Sequence, residues 1–127
     1  MADLTFYMNI LKETETIKQA AIINFEGDMI IKTDAFEVED VELEPFGCLF
    51  QYNTQVRKEE IRLNNKVYQT TEAEEHFLYG KCKDKALMVI QSDQYFIIVL
   101  IDGDDATYKT TRLALENISA RMRSFGL

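Results

Sequence analysis

The apolar positions first recur at helical spacing. Leu4, Tyr7, Met8 and Leu11 fall three or four residues apart and share one face of a helix predicted over 3–14, with Asp3 placed to cap it. Phe6 and Ile10 lie beside that stripe, so the helix is apolar over more than a narrow seam. The pattern then turns to strands. Ala20-Ala21-Ile22-Ile23-Asn24-Phe25 reads as a buried strand, Glu26-Gly27-Asp28 as a turn, and Met29 to Thr33 as the return strand of a hairpin. Ile61-Arg62-Leu63 and Lys66-Val67-Tyr68-Gln69 flank Asn64-Asn65, and Asn tolerates the positive φ of a tight turn. A short strand is predicted over 76–81. Ala86 to Ile90 and Tyr95 to Ile101, around Ser92-Asp93, are apolar on both faces, which places them centrally with cover on both sides. Asp102-Gly103-Asp104-Asp105 is a turn able to cap a helix over 105–124. On that helix Leu115, Ile118, Met122 and Phe125 make an apolar stripe. Arg121 and Arg123 suit the negative end of its dipole, and Gly126 terminates it.

Residues 34–47 follow neither period. Glu37, Glu39, Asp40, Glu42 and Glu44 crowd between Val38, Val41 and Leu43, which reads as a solvated face, with docking of a basic partner as the second reading. A short helix can start near Pro45. The order is helix, hairpin, insert, further antiparallel strands, helix. It predicts one α+β domain over 1–127, with a central antiparallel sheet and the N- and C-terminal helices packed together on one face.

Composition narrows the function. With 14 Lys and Arg against 22 Asp and Glu, the net charge is −8. That argues against indiscriminate nucleic-acid binding, where phosphate neutralisation supplies most of the affinity. Cys48 and Cys82 match no metal or redox spacing and are expected to be reduced thiols packed as small apolar groups. His76 is the only histidine, lies beside the acidic run Glu72–Glu75 and is expected at the surface. With five Gly there is no phosphate-cradling loop, and no Ser-His-Asp arrangement has a partner set. No catalytic residue, metal or cofactor is therefore expected. The N-terminus has no signal-peptide pattern, and the longest apolar run, Tyr95 to Ile101, is too short to cross a bilayer.

Several local strings resemble profilin, the family of small actin-monomer-binding proteins. Leu4, Tyr7 and Ala20-Ala21-Ile22-Ile23 stand, without a gap, where that family has a Trp, a Tyr and an Ala-Ala-Ile strand. Ile61 to Tyr68 resembles the family's hairpin with a Gly-Gly-x-Lys-Tyr turn, and Leu78-Tyr79-Gly80-Lys81-Cys82-Lys83 its Gly-Lys-Lys-Gly loop. The strand pair 86–101, the last helix and Phe125-Gly126-Leu127 resemble the family's end.

The resemblance implies two sites. One is a groove between the terminal helices for proline-rich peptides, at Leu4, Tyr7, Arg121 and Leu127. Only Tyr7 keeps its aromatic ring there, and the chain has no Trp, so weak or absent polyproline binding is expected. Phe6 or Phe125 are candidates for partial replacement. The alternative role for Leu4 and Tyr7 is to pack the helices together. The other site is an actin-binding face, carried onto Lys81, Lys83, Gln91, Tyr108, Lys109 and Arg112. Gln91 stands where the family has a Lys, and the loop before the last helix is acidic. Monomeric actin is acidic, so the cations are expected to lie apart from the acids on this face. Bound there, the protein would block nucleation and pointed-end addition, allow barbed-end delivery and speed nucleotide exchange on actin. Phosphoinositide binding would rest on Lys81, Lys83, Lys85, Arg121 and Arg123, against the field of the net charge. A cytoplasmic, cytoskeletal monomer is expected. The alternatives are a longin- or roadblock-like interaction scaffold, and a profilin fold that has lost actin binding.

Overall fold

The structure is a computed structural model, and it describes residues 4–34, 36, 60–63, 66–74 and 76–127. The order is α1 (Thr5–Glu13), β1 (Ile17–Asn24), β2 (Met29–Lys32), β3 (Glu60–Leu63), β4 (Lys66–Ala73), β5 (Phe77–Cys82), β6 (Lys85–Gln91), β7 (Tyr95–Asp102) and α2 (Asp105–Ser124). The strands form one antiparallel sheet in the order β2-β1-β7-β6-β5-β4-β3.

The alternation within β1 shows why so apolar a strand suits the interior. Ile17, Ala20 and Ile22 join one buried cluster, while Ala21 and Ile23 join another. The first cluster also holds Leu4, Tyr7, Met8 and Leu11 of the N-terminal helical segment and Leu115, Ile118 and Met122 of α2. Both terminal helices therefore lie on one face of the sheet, as the periodicity predicts. The second cluster includes Leu63, Tyr68, Leu78, Val89 and Ile98 together with Phe36. β7 and β6 sit third and fourth in the sheet and are buried along nearly their whole length, which matches their two apolar faces.

The differences from expectation have local causes. The cap position of α1 is Leu4, whose backbone is already helical and whose side chain caps nothing. Asp3, the expected cap, lies outside the described residues. β1 ends at Asn24 rather than Phe25. Asn24 closes the turn itself, because its Oδ1 accepts from the Glu26 and Asp28 backbone N–H groups at 3.0 and 2.9 Å. Gly27 supplies the left-handed φ of 91° that this turn needs. Phe25 is thereby turned outward, 36% exposed. β1 begins earlier than expected and β4 runs four residues further, because pairing with β7 and with β5 carries the ladder on. α2 matches its expected limits. Asp104 caps it, accepting from the Thr107 backbone N–H at 2.8 Å, which holds its carboxyl below the ordinary value.

Phe125 is the clearest correction in the core. It continues the stripe of α2 by spacing but is 73% exposed. The helix ends one residue earlier, and Phe125 occupies the cap position with a non-helical backbone. Gly126 follows at a φ of 75°. Cys82 is a half-buried free thiol, and Cys48 lies outside the described residues. The acidic segment 37–44, the proposed helix near Pro45 and the Asn64-Asn65 turn also lie outside them. Among the described residues, no helix is long and apolar enough to cross a membrane.

Candidate functional site

Along the helix side of β5, residues at i, i+2 and i+4 point toward α2. Phe77 and Tyr79 are buried there, and Lys81 continues the row, half-buried. Tyr108 enters from the first turns of α2. Its ring meets Tyr79 edge-on at 4.7 Å and Phe77 at 6.3 Å. One helical turn on, the Arg112 guanidinium lies 4.0 Å above the Phe77 ring. Lys109, next to Tyr108 in α2, and Lys83, in the β5–β6 turn, are exposed. Of the six residues named for an actin face, Lys81, Tyr108 and Arg112 thus fall along one strip.

Gly103 closes the end of that strip. A Cβ there would sit 3.2 Å from the Asp84 carbonyl oxygen and 3.2 Å from Cε of Lys81. The absence of a side chain lets the loop before α2 lie against the β5–β6 hairpin without displacing either neighbour, and there the Gly103 N–H donates to Asp84 O at 2.8 Å. Lys83 makes the turn of that hairpin with a φ of 57°, uncommon for a residue with a side chain.

Gln91 lies toward the other end of α2. Its backbone carbonyl accepts from Ser119 Oγ at 3.2 Å and from Arg123 Nη2 at 2.6 Å. Its side-chain Oε1 lies 3.4 Å from Nδ1 of His76, which is exposed as expected.

The expected separation of charges does not hold. Arg112 donates to Glu74 Oε2 at 2.6 Å, to Glu116 Oε1 at 3.1 Å and to the Tyr108 hydroxyl at 2.7 Å. A Glu72 carboxylate oxygen lies 3.9 Å away, and the Tyr108 hydroxyl donates to Glu72. The cause is pairing across the sheet. β4 sets Glu72 opposite Tyr79, so Glu72, and Glu74 just beyond the strand, face the opening of α2. Burial pulls the Arg112 guanidinium toward neutrality, but its hydrogen bonds to Tyr108, Glu116 and Glu74 prevail and raise its pKa. Burial also raises the phenols of Tyr108 and Tyr79. Glu116 was legible as an i+4 partner of Arg112. Glu72, Glu74 and Phe77 were not, because only strand pairing brings them beneath the helix.

Between the terminal helices lies a groove of about 470 Å³, lined by Ile10 of α1 and by Ala114, Asn117, Ile118 and Arg121 of α2. Of the residues named for a polyproline site, only Arg121 lines it. Leu4 and Tyr7 are 6% and 5% exposed and belong to the core. Leu127 packs against that core, and its N–H donates to Met122 O at 2.9 Å. The aromatic surface on offer is Phe6, half-exposed, edge-on to Tyr7 at 5.2 Å and 5.7 Å from the Arg121 guanidinium.

The cations named for phosphoinositide binding are dispersed and partly occupied. Lys85 holds Asp102 at 2.9 Å, Arg123 holds Gln91 O and lies 4.0 Å from Asp93, and Arg121 faces Phe6.

An antiparallel sheet with both terminal helices on one face, an interhelical groove, and an aromatic and charged strip beside α2 define a small α+β binding module. Known proteins make the class specific. The family model described as Profilin matches residues 4–127, and the chain belongs to the profilin family, whose members are non-enzymatic actin-binding proteins. The sequence is 27% identical over 117 residues to Profilin-2 of Caenorhabditis elegans, covering 90% of this chain and 89% of that protein. The fold is similar to Acanthamoeba castellanii profilin IA, with a TM-score of 0.85 at 18% identity over 97% of this chain and 98% of that one. It is also similar to LokiProfilin2, solved in complex with rabbit actin, with a TM-score of 0.75 at 13% identity over 98% of both chains.

Proposed function

We propose that this protein binds monomeric actin through the strip between β5 and α2 and thereby regulates polymerisation. The observation that carries this reading is membership of the profilin family over residues 4–127. The likeness to LokiProfilin2, which was solved bound to rabbit actin, supports it. Lys83 and Lys109 supply the exposed positive charge of this face. Lys81 and Gln91 extend it, and Tyr108 provides half-exposed aromatic surface. Arg112 acts differently from a free cation, because its charge is already met by Glu74 and Glu116. Its part is to hold α2 against β4 and β5. With Glu72, Glu74 and Glu116 gathered around Arg112 on the same face, electrostatic steering toward an acidic partner is modest, and affinity rests more on shape and apolar contact. The protein acts as one cytoplasmic domain and as a monomer.

Binding of proline-rich peptides is weak in this reading. A polyproline helix is recognised by stacking on exposed rings that also donate hydrogen bonds. Leu4 has neither property, and Tyr7 is committed to the core. Phe6 offers a ring without a donor.

The test is a polymerisation assay with actin monomers at low salt, paired with sedimentation of the monomer complex. Slower nucleation with a saturable 1:1 complex is expected. Unchanged nucleation at tens of micromolar protein would leave a profilin fold that has lost actin binding.

A further inference from the structure

Among the described residues, Lys83 is the one non-glycine with a positive φ, 57°. Cys82 pairs with Lys85, so Lys83 and Asp84 make a two-residue turn between β5 and β6. The common two-residue hairpin turns need a positive φ at their first position. Glycine adopts it freely and asparagine tolerates it, whereas the Cβ of a lysine crowds the following carbonyl. Lys83 therefore lowers stability relative to either residue. The strain has no outlet, because the turn is fixed from its other side. The Asp84 carbonyl accepts from the Gly103 N–H at 2.8 Å, and Lys85 donates to Asp102 at 2.9 Å while facing it in the β6–β7 ladder. Strained backbone persists only where its surroundings over-determine it, and it collects at binding sites.

The side chain of Lys83 returns nothing to the fold. It is exposed and makes no hydrogen bond or ion pair with a described residue. Lys85, Arg112 and Arg123, by contrast, are each held by a carboxylate or a carbonyl of this chain. The turn also ends β5, the strand whose helix side carries Phe77, Tyr79 and Lys81, so it borders the proposed actin face.

We propose that Lys83 is a placed contact for an acidic group of the bound actin monomer, with the left-handed turn setting the direction of its side chain. This rests on the actin-binding reading above. A backbone fixed before the encounter removes part of the ordering cost of binding. The conformation that lowers stability therefore raises affinity, and the two effects are separable by changing this one residue.

The test compares the unaltered chain with Lys83→Gly, Lys83→Asn and Lys83→Arg, by thermal melts and by stopped-flow binding to labelled actin monomers. Glycine and asparagine suit the turn, so both variants should raise Tm by about 2–4 °C. Both should weaken actin binding about threefold to tenfold, the loss of one charge-assisted hydrogen bond. That loss should fall on the off-rate, as for a formed contact, and not on the on-rate, as for a steering charge. Lys83→Arg keeps both the charge and the strain, and should keep the Tm and most of the affinity. No binding by the unaltered chain overturns the actin reading and this inference with it. Binding by the unaltered chain that the Gly and Asn variants leave unchanged, or weaken only in on-rate, overturns this inference alone. An unchanged or lower Tm in both variants denies the strain and overturns it as well.

Discussion

The Arg112 guanidinium lies 4.0 Å above the ring of Phe77 while it donates to Glu74 Oε2 at 2.6 Å. One side chain thus joins α2 to both β5 and the chain just beyond β4. The position carries two properties at once, a place on the proposed actin face and a share of the fold's cohesion.

Charge reversal separates those properties. Arg112→Glu puts another carboxylate among Glu72, Glu74 and Glu116 and removes the stacking on Phe77. It is expected to weaken actin binding and also to cost roughly 1–2 kcal/mol of stability, allowing for solvent screening of a partly exposed network, or several degrees in Tm. Lys109→Glu, on an exposed residue, should weaken binding with no change in Tm. Monomer-sequestration curves alongside thermal melts check both. Equal melts for the two variants would deny Arg112 its structural part.

A proline-rich peptide should show no micromolar saturation. With no Trp in the chain, intrinsic emission comes from tyrosine, and Tyr7 and Tyr108 report on the groove side and the strip side. Losing the family's indole costs about 1–3 kcal/mol, or tenfold to a hundredfold in affinity. Saturation at micromolar peptide would show that Phe6 and the groove beside Ile10 suffice.

The two ends of the α2 stripe should respond differently to truncation. Met122 is fully buried, so Met122→Ala should cost about 2–5 kcal/mol. Phe125 is 73% exposed, so Phe125→Ala should stay within about 0.5 kcal/mol. Urea unfolding midpoints of the pair measure the contrast.

Stability should fall at both pH extremes. Hydrogen bonds from Lys85 to Asp102 and from Thr107 to Asp104 lower both carboxyls beneath their ordinary value of 3.8. Their contribution is full above that value and is lost as pH falls through the lowered ones. Burial raises the phenols of Tyr68, Tyr79 and Tyr108 above 10.0. Their contribution is full below pH 10 and is lost as pH rises through the raised values. Urea midpoints at steps from pH 2 to 5 and from pH 9 to 12, with absorbance to follow tyrosine ionisation, check both limbs. A flat alkaline limb would contradict the burial of these rings.

The period of the apolar residues determined the helix faces of Leu4, Tyr7, Met8 and Leu11 and of Leu115, Ile118 and Met122. It also determined the central place of β6 and β7, because burial on two sides leaves no room for polar residues. Those readings depend on neighbours along the chain. The exposure of Phe125 was decided by where the helix stops, the outward turn of Phe25 by the hydrogen bonds of Asn24, and the commitment of Tyr7 to the core by the packing of α1 on the sheet. Strand pairing alone set Glu72 and Glu74 around Arg112, thirty-eight residues away for Glu74. Side-chain period is a local property and survives in the sequence. The meeting of charges across a sheet depends on register and strand order, which only the folded chain supplies.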